Sequence, residues 1–344
     1  MVRGLLLAGF LALAGCASWV DGRGARGPSN DVQLIGGAQA SPEGGVTLTW
    51  PGSGAAFGAG GSPVTLRFES SGPARVLVEA GDTEEIITLE SGILAHEVEG
   101  TGEGPVRVRR LTGIQTSDVT LTRIDADGGV RPAATRDRSM LIIGDSISVG
   151  YGVDGADQNC GYSVETENHS RTYGALAAEA LGAELVTVAI SGRGVVRNWA
   201  GADEPLMPDV WAEARDGIDA APDVVLVNLG TNDFGGYDPR PAFGVAYEAL
   251  LDDLRAAYPG AAIYAMTGPM LSPESRALLD ESVTAALDRH NGPAELPAGY
   301  IAFSLATEGR LYGCHWHPGR DTQAAMAQIL IDRLVADLGW SAGD

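Results

Sequence analysis

Four short stretches of this 344-residue chain carry side chains able to work on an acyl group. "GDSIS" (144–148) presents Ser146, "ISGRG" (190–194) is a glycine-rich turn around Gly192, and "LGTNDF" (229–234) presents Asn232 and Asp233. Near the end, "LYGCHWHPGRD" (311–321) gathers Cys314, His315 and His317 ahead of Pro318. A serine hydroxyl is a poor nucleophile unless an adjacent base takes its proton. The tetrahedral oxyanion that its attack creates needs preorganised hydrogen-bond donors, each worth about 3 kcal/mol in comparable sites. Each stretch is a weak signal alone. Together they offer the parts for nucleophilic attack on a carbonyl carbon.

The elements that must position these residues read as strand, helix, strand, helix. "MLIIGD", "AELVTVAI", "DVVLVNLG", "AAIYAMTG" and "YIAFSL" are continuous apolar runs, as expected of parallel strands covered on both faces. Helical stretches are expected at 173–181, 209–220, 242–258, 273–290 and 321–338. This alternation predicts an α/β/α three-layer domain over 140–344 with a mainly parallel five-stranded sheet. Ligands of such open sheets sit at the carboxyl ends of the strands. Ser146, Gly192 and Asn232 follow the first three runs and His317 follows the fifth, so all four fall at one edge of one sheet. Ahead of this domain, short runs from "GVTLTW" to "DVTLTRI" alternate apolar and polar residues between Gly and Pro breaks. They predict an all-β sandwich over 32–125, followed by a linker over 126–139.

Composition narrows the chemistry. With 44% hydrophobic and 20% charged residues the chain is globular rather than disordered. All 23 basic residues are arginine, which excludes Schiff-base lysine chemistry and a lysine-bearing phosphate loop. A formal net charge of -22 repels nucleic acid and anionic lipid, so a neutral partner such as sugar fits better. The first sixteen residues, "MVRGLLLAGFLALAGC", resemble a bacterial lipoprotein signal, which would leave an acylated Cys16 at the mature N-terminus. An ordinary secretory peptide with a chance cysteine is the alternative. Residues 17–31 then read as a flexible tether. Either way the chain is expected to be exported, and a lipid anchor would be its sole tie to the membrane, on the periplasmic or cell-surface side. With Cys16 lipidated, Cys160 and Cys314 remain as a pair in a compartment that permits disulfides. A bridge of that span would contribute roughly 5 kcal/mol in the chain-entropy model. Two separate buried thiols are the other reading.

The four blocks resemble the SGNH (GDSL-type) hydrolase superfamily. The resemblance implies Ser146 as nucleophile and His317 as base, with the oxyanion held by the backbone N–H groups of Ser146 and Gly192 and the side chain of Asn232. The stretch from 160 to 198, the W-x-G-S-G turn at 50–54 and a sandwich ahead of the hydrolase domain resemble carbohydrate esterase family 2. That family joins a jelly-roll domain to an SGNH domain and removes acetyl groups from sugar hydroxyls, notably at the 6-position. The resemblance implies no cofactor and an acetylated carbohydrate as partner; no metal is expected because no metal-ligand spacing appears, His315, His317 and Cys314 forming a set only if Cys314 is free. Two rivals are carried along: a lysophospholipase or thioesterase on the same scaffold, and a carbohydrate-binding protein with an inactive hydrolase domain.

One position departs from the superfamily pattern. Many SGNH enzymes place an aspartate three residues before the histidine, where it orients the imidazole. Here that position is Cys314. The family resemblance implies a Ser–His dyad with a backbone carbonyl in the orienting role, which leaves Cys314 free to be read as the disulfide partner of Cys160 that the cysteine count suggests. His315 competes with His317 for the base, because side chains two apart in an extended stretch share a side; the family's base directly precedes proline. Asp145 and Asp233 are expected to cap backbone N–H groups and Asp321 to be the N-cap of the last helix. Tyr151, Phe234 and Trp316 sit beside motif residues as candidate sugar-facing aromatics. Trp50 is expected to pack within the sandwich.

Overall fold

The computed structural model describes residues 28–99, 102, 104–218, 221–292 and 296–342. The expected signal with Cys16, and the tether as far as residue 27, lie outside the described residues.

Alternation builds the first half. Strand β1 spans Gln33–Ile35, β2 Gln39–Ala40, β3 Val46–Thr47 and β4 Gly54–Gly58. Then come β5 (Val64–Ser70), β6 (Ala74–Ala80), β7 (Thr83–Leu89), β8 (Gly92–Val98), β9 (Pro105–Arg110), β10 (Val119–Ala126) and β11 (Arg131–Pro132). In β5, Val64, Leu66 and Phe68 are buried while Arg67 and Glu69 face out, the period of a half-buried strand. One sheet runs β1-β4-β9-β6-β7 with β11 also on β4, and the other runs β2-β3-β10-β5-β8. Every pairing is antiparallel. Val46, Leu48, Phe57, Leu66, Phe68, Val76, Val108 and Leu121 fill the space between them. The segment expected as a linker is partly ordered by this sheet, since Arg131 and Pro132 pair with Gly58 and Phe57.

Continuous apolar runs build the second half. Strands β12 (Arg138–Gly144), β13 (Ala183–Ala189), β14 (Val224–Asn228), β15 (Ala262–Thr267) and β16 (Gly299–Ala302) form a parallel sheet in the order β13-β12-β14-β15-β16. Because side chains alternate along a strand, both faces of β12 are spent on packing. Met140 and Ile142 meet α2 (Tyr173–Ala180) and α7 (Arg320–Leu338) through Ala177, Met326 and Leu330. Leu141 and Ile143 meet α3 (Met207–Ala214), α5 (Ala242–Ala257) and α6 (Pro273–Asn291) through Trp211, Leu251 and Val283. Two single-turn helices complete the domain, α1 (Ser146–Val149) and α4 (Thr231–Phe234). Among the described residues no helix is long and apolar enough to cross a membrane.

Three expectations are corrected. Helix α3 starts at Met207 and its α-helical part ends at Ala214, earlier than the apolar pattern implied, with Pro208 in its first turn. Gly319, not Asp321, is the N-cap of α7; the Asp321 carboxylate lies inside the first turn and reaches back to accept the Arg310 N–H. Trp50 belongs to the core cluster of the hydrolase domain rather than that of the sandwich, so it stitches the two domains together.

Candidate active site

The chain order of β12, β13 and β14 reverses around β12, and loops leaving their carboxyl ends diverge to leave a crevice. Ser146 enters it from the turn after β12. Asp145 caps α1, its Oδ1 accepting the Ile147 N–H at 3.0 Å, which sets Ser146 on the first turn of the helix. After β13 the chain makes a turn closed by the Arg193 N–H donating to the Ile190 carbonyl at 3.3 Å. Gly192 occupies its third position with φ +82°, the left-handed conformation that a type II turn demands of that residue. Among the described residues neither the Ser146 N–H nor the Gly192 N–H donates to another protein group, so both stay available to an incoming oxygen.

His317 completes the pair. Its Nε2 lies 2.8 Å from Ser146 Oγ. Its Nδ1 lies 3.2 Å from the carbonyl oxygens of both Cys314 and His315. Carbonyl oxygens only accept, so Nδ1 carries the proton and Nε2 offers its lone pair to the serine hydroxyl. The backbone therefore occupies the place that an aspartate fills in a Ser-His-Asp triad. Left-handed φ angles at His315 (54°) and Trp316 (64°) bend the chain so that these carbonyls face the ring. Such conformations are costly outside glycine and persist where the surroundings hold them.

The surroundings do hold this turn. Cys314 is fully buried and joined to Cys160 by a disulfide. Gly155 is glycine because a Cβ there would stand 2.3 Å from Cys314 Sγ and 2.6 Å from Cys160 Sγ. The Cys314 N–H donates to the Gly152 carbonyl at 3.0 Å, and the Gly313 N–H donates to the His317 carbonyl at 2.8 Å. From the other side Tyr151 lays its ring 4.3 Å from that of His317 and places its hydroxyl 2.8 Å from His315 Nδ1. Burial of the His317 ring pushes its pKa down to about 4, more than the two backbone bonds raise it.

Asn232 follows β14 and is buried, with its amide nitrogen 2.8 Å from the Arg193 carbonyl and 3.2 Å from Asp145 Oδ2. Both amide hydrogens thus have partners, and an oxyanion would share or replace the longer contact. Asp233 does cap backbone, though not its own turn. Its carboxylate accepts the N–H groups of Val195, Val196 and Arg197 at 2.8–3.0 Å and so fixes the loop after Gly192 against α4. Asp145 and Asp233 are both buried, and desolvation raises both pKa values, that of Asp145 to about 7.

The pocket above Ser146 has a volume of about 390 Å³, within the range of small-molecule sites. Gly192, Asn232, Tyr151, His315 and His317 line it, together with Trp199 and Met270. Two expected sugar-facing aromatics are elsewhere. Phe234 is wholly buried against Phe243, because its single-turn helix points that face into the core. Trp316 is exposed but packs edge-on against Tyr312, outside the pocket lining. Trp199, 59% exposed, takes the place expected for them. The signal for it was an aromatic a few residues past the glycine turn, tied back by its N–H donating to the Gly192 carbonyl at 2.8 Å. The remaining histidines lie apart: His169 is buried against Thr187, His96 pairs with Glu85 and His290 with Asp252.

Residues 142–295 match the model of the GDSL-like Lipase/Acylhydrolase family. The chain is similar to the Cellulase/esterase CelE of Acetivibrio thermocellus, 28% identical over 310 residues. That match covers 86% of this chain but only 38% of the relative's length. It is also 27% identical over 321 residues to an acetylxylan esterase / glucomannan deacetylase of Cellvibrio japonicus, covering 85% of this chain and 86% of the relative. A solved structure from Corynascus thermopiles (Myceliophthora fergusii), a carbohydrate esterase family 2 enzyme plus carbohydrate binding domain, superposes with a TM-score of 0.78. It is 31% identical and covers 90% of this chain and 100% of that one. The chain belongs to carbohydrate esterase family 2. As a family 2 member it is a carboxylic ester hydrolase, with the antiparallel sandwich and parallel five-stranded sheet of that architecture.

Proposed function

We propose that this esterase removes O-acetyl groups from a neutral carbohydrate through an acyl-enzyme formed on Ser146. The observation that carries the reading is the 2.8 Å contact between Ser146 Oγ and a His317 ring whose other nitrogen is held by two backbone carbonyls. His317 Nε2 takes the hydroxyl proton as Oγ attacks the acetyl carbon. The oxyanion then receives the N–H groups of Ser146 and Gly192 and the amide of Asn232. Collapse expels the sugar oxygen, which His317 protonates; His317 then takes a proton from water as the water oxygen attacks the acyl carbon, and collapse of this second intermediate frees acetate and returns the proton to Ser146 Oγ. The absent carboxylate fits a dyad, and the similarity to an acetylxylan esterase / glucomannan deacetylase favours a plant-type acetylated glycan over a long-chain lipid. The disulfide fits an oxidising compartment, and with the first sixteen residues it supports our proposal of an exported lipoprotein anchored at Cys16. The test is acetate release from a panel of acetylated mono- and polysaccharides, with acyl-chain length varied. The reading requires acetyl to be preferred over longer acyl groups on at least one sugar. A preference for long-chain esters would replace it with the lipase-like alternative.

A further inference from the structure

A second groove of about 310 Å³ opens beside the catalytic pocket and shares two wall residues with it, Tyr151 and Ser191. The rest of its wall comes from both domains: Gln115 and Thr116 from the sandwich loop between β9 and β10, and Tyr162 and Val164 from the loop between α1 and α2. The groove is a built feature. Its floor is Glu167, a carboxyl only 3% exposed that accepts the Gly113 N–H across the domain seam and the Tyr162 hydroxyl. Arg75 of β6 donates to the carbonyls of Glu165 (2.7 Å) and Glu167 (3.0 Å), pinning one wall. Arg110 of β9 donates to those of Thr112 (2.8 Å), Gly113 (2.6 Å) and Ser117 (2.7 Å), pinning the other.

The surface is continuous with the catalytic residues. Tyr162 stacks on Tyr151 with centroids 4.8 Å apart, and Tyr151 in turn lies 4.3 Å from the His317 ring. An aromatic face bordered by an exposed amide (Gln115) and hydroxyls (Thr116, Ser191) suits the apolar face and polar rim of a pyranose ring. Both arginines that back the walls spend their guanidinium groups on carbonyls, and a carboxyl forms the floor, so the chemistry disfavours an acidic sugar.

We infer that this groove is a glycan subsite: a neutral oligosaccharide with its acetylated unit over Ser146 lays an adjoining sugar ring on Tyr162, between the sandwich and the hydrolase domain. The inference rests on the carbohydrate reading of the catalytic pocket and makes the sandwich part of the substrate site.

Calorimetric titration of the full chain with β-1,4-linked hexasaccharides of glucose, mannose and xylose tests it. At least one should bind the wild type. Tyr162→Ala should weaken that binding at least tenfold and Gln115→Ala, at an exposed position where folding is safe, about threefold. Tyr162→Phe keeps the stacking face and should bind nearly as the wild type, which a merely structural role through the Glu167 bond would not allow. In parallel, Tyr162→Ala should raise KM for an acetylated oligosaccharide at least tenfold more than for 4-nitrophenyl acetate. Equal binding by all variants, or no binding of any hexasaccharide, overturns the subsite even if acetylated monosaccharides are hydrolysed. Binding that is lost in Tyr162→Ala, with no acetate released from any sugar, upholds the subsite and sinks the functional reading alone.

Discussion

At the scale of residues, the departure from a Ser-His-Asp triad has consequences for pH. A carboxylate beside Nδ1 would stabilise the imidazolium and raise its pKa, whereas two carbonyl dipoles orient the ring without a full opposing charge. Burial then dominates and pushes His317 down from its ordinary 6.5 to about 4. In the proposed dyad the base acts in its neutral form, and lowering the pKa keeps His317 neutral further into acid. The kcat/KM profile should therefore be flat through neutrality and fall as pH drops through about 4. An inflection at 6.5 or above would mean that something other than the two carbonyls governs the ring. Asn232 yields a second expectation. As the proposed oxyanion donor its amide would gain that partner chiefly in the transition state, so Asn232→Ala should cut kcat by about a hundredfold with little change in KM. An effect confined to KM would make Asn232 a ground-state binding residue. Both constants come from one initial-rate series.

At the scale of elements, the histidine loop has only a single 3-10 turn, Cys314–Trp316, and one bridge between Tyr312 and Pro318, and it borrows rigidity from the loop after α1. The disulfide, the Cys314–Gly152 backbone bond and the Tyr151 ring all cross between the two loops. Cys160→Ala should cost about 2–5 kcal/mol of stability. It should also lower kcat more than it raises KM, since a base displaced by about 1 Å can lose on the order of a hundredfold in rate. Melting curves and kinetics of the variant measure both. Unchanged kcat would show that the hydrogen bonds alone hold the turn. The strands and long helices were legible because each has a period: alternation in "VTLRFES", continuous apolarity in "MLIIGD". The fine placement was not. Asp321 looks like a cap by type, yet Gly319 takes that place and Asp321 serves a loop N–H that sequence does not reveal. Phe234 and Trp199 are both aromatics near a motif, and the direction each faces is decided by the packing of α4 on Phe243 and by the turn after Gly192.

At the scale of the whole molecule, the two domains are interlocked rather than strung together. Trp50 enters the hydrolase core, Arg75 and Arg110 of the sandwich hold the loops beside the pocket, and His169 packs where a side chain at Gly52 would collide with it at 2.6 Å. Long-range pairs of this kind leave no periodic trace, so the sequence announced two domains but not their seam. What it did carry was the order Ser146, Gly192, Asn232, His317 at strand ends, and the sheet order makes those ends converge. The central claim is that Ser146 becomes acetylated by a sugar ester. Rapid-quench mass spectrometry of the enzyme mixed with an acetylated oligosaccharide tests it most directly. The account predicts one added acetyl group on the peptide that contains Ser146, transient in the wild type and absent in Ser146→Ala, which releases no acetate. Acetate release by Ser146→Ala, or an acetyl group carried on any other residue, would contradict it.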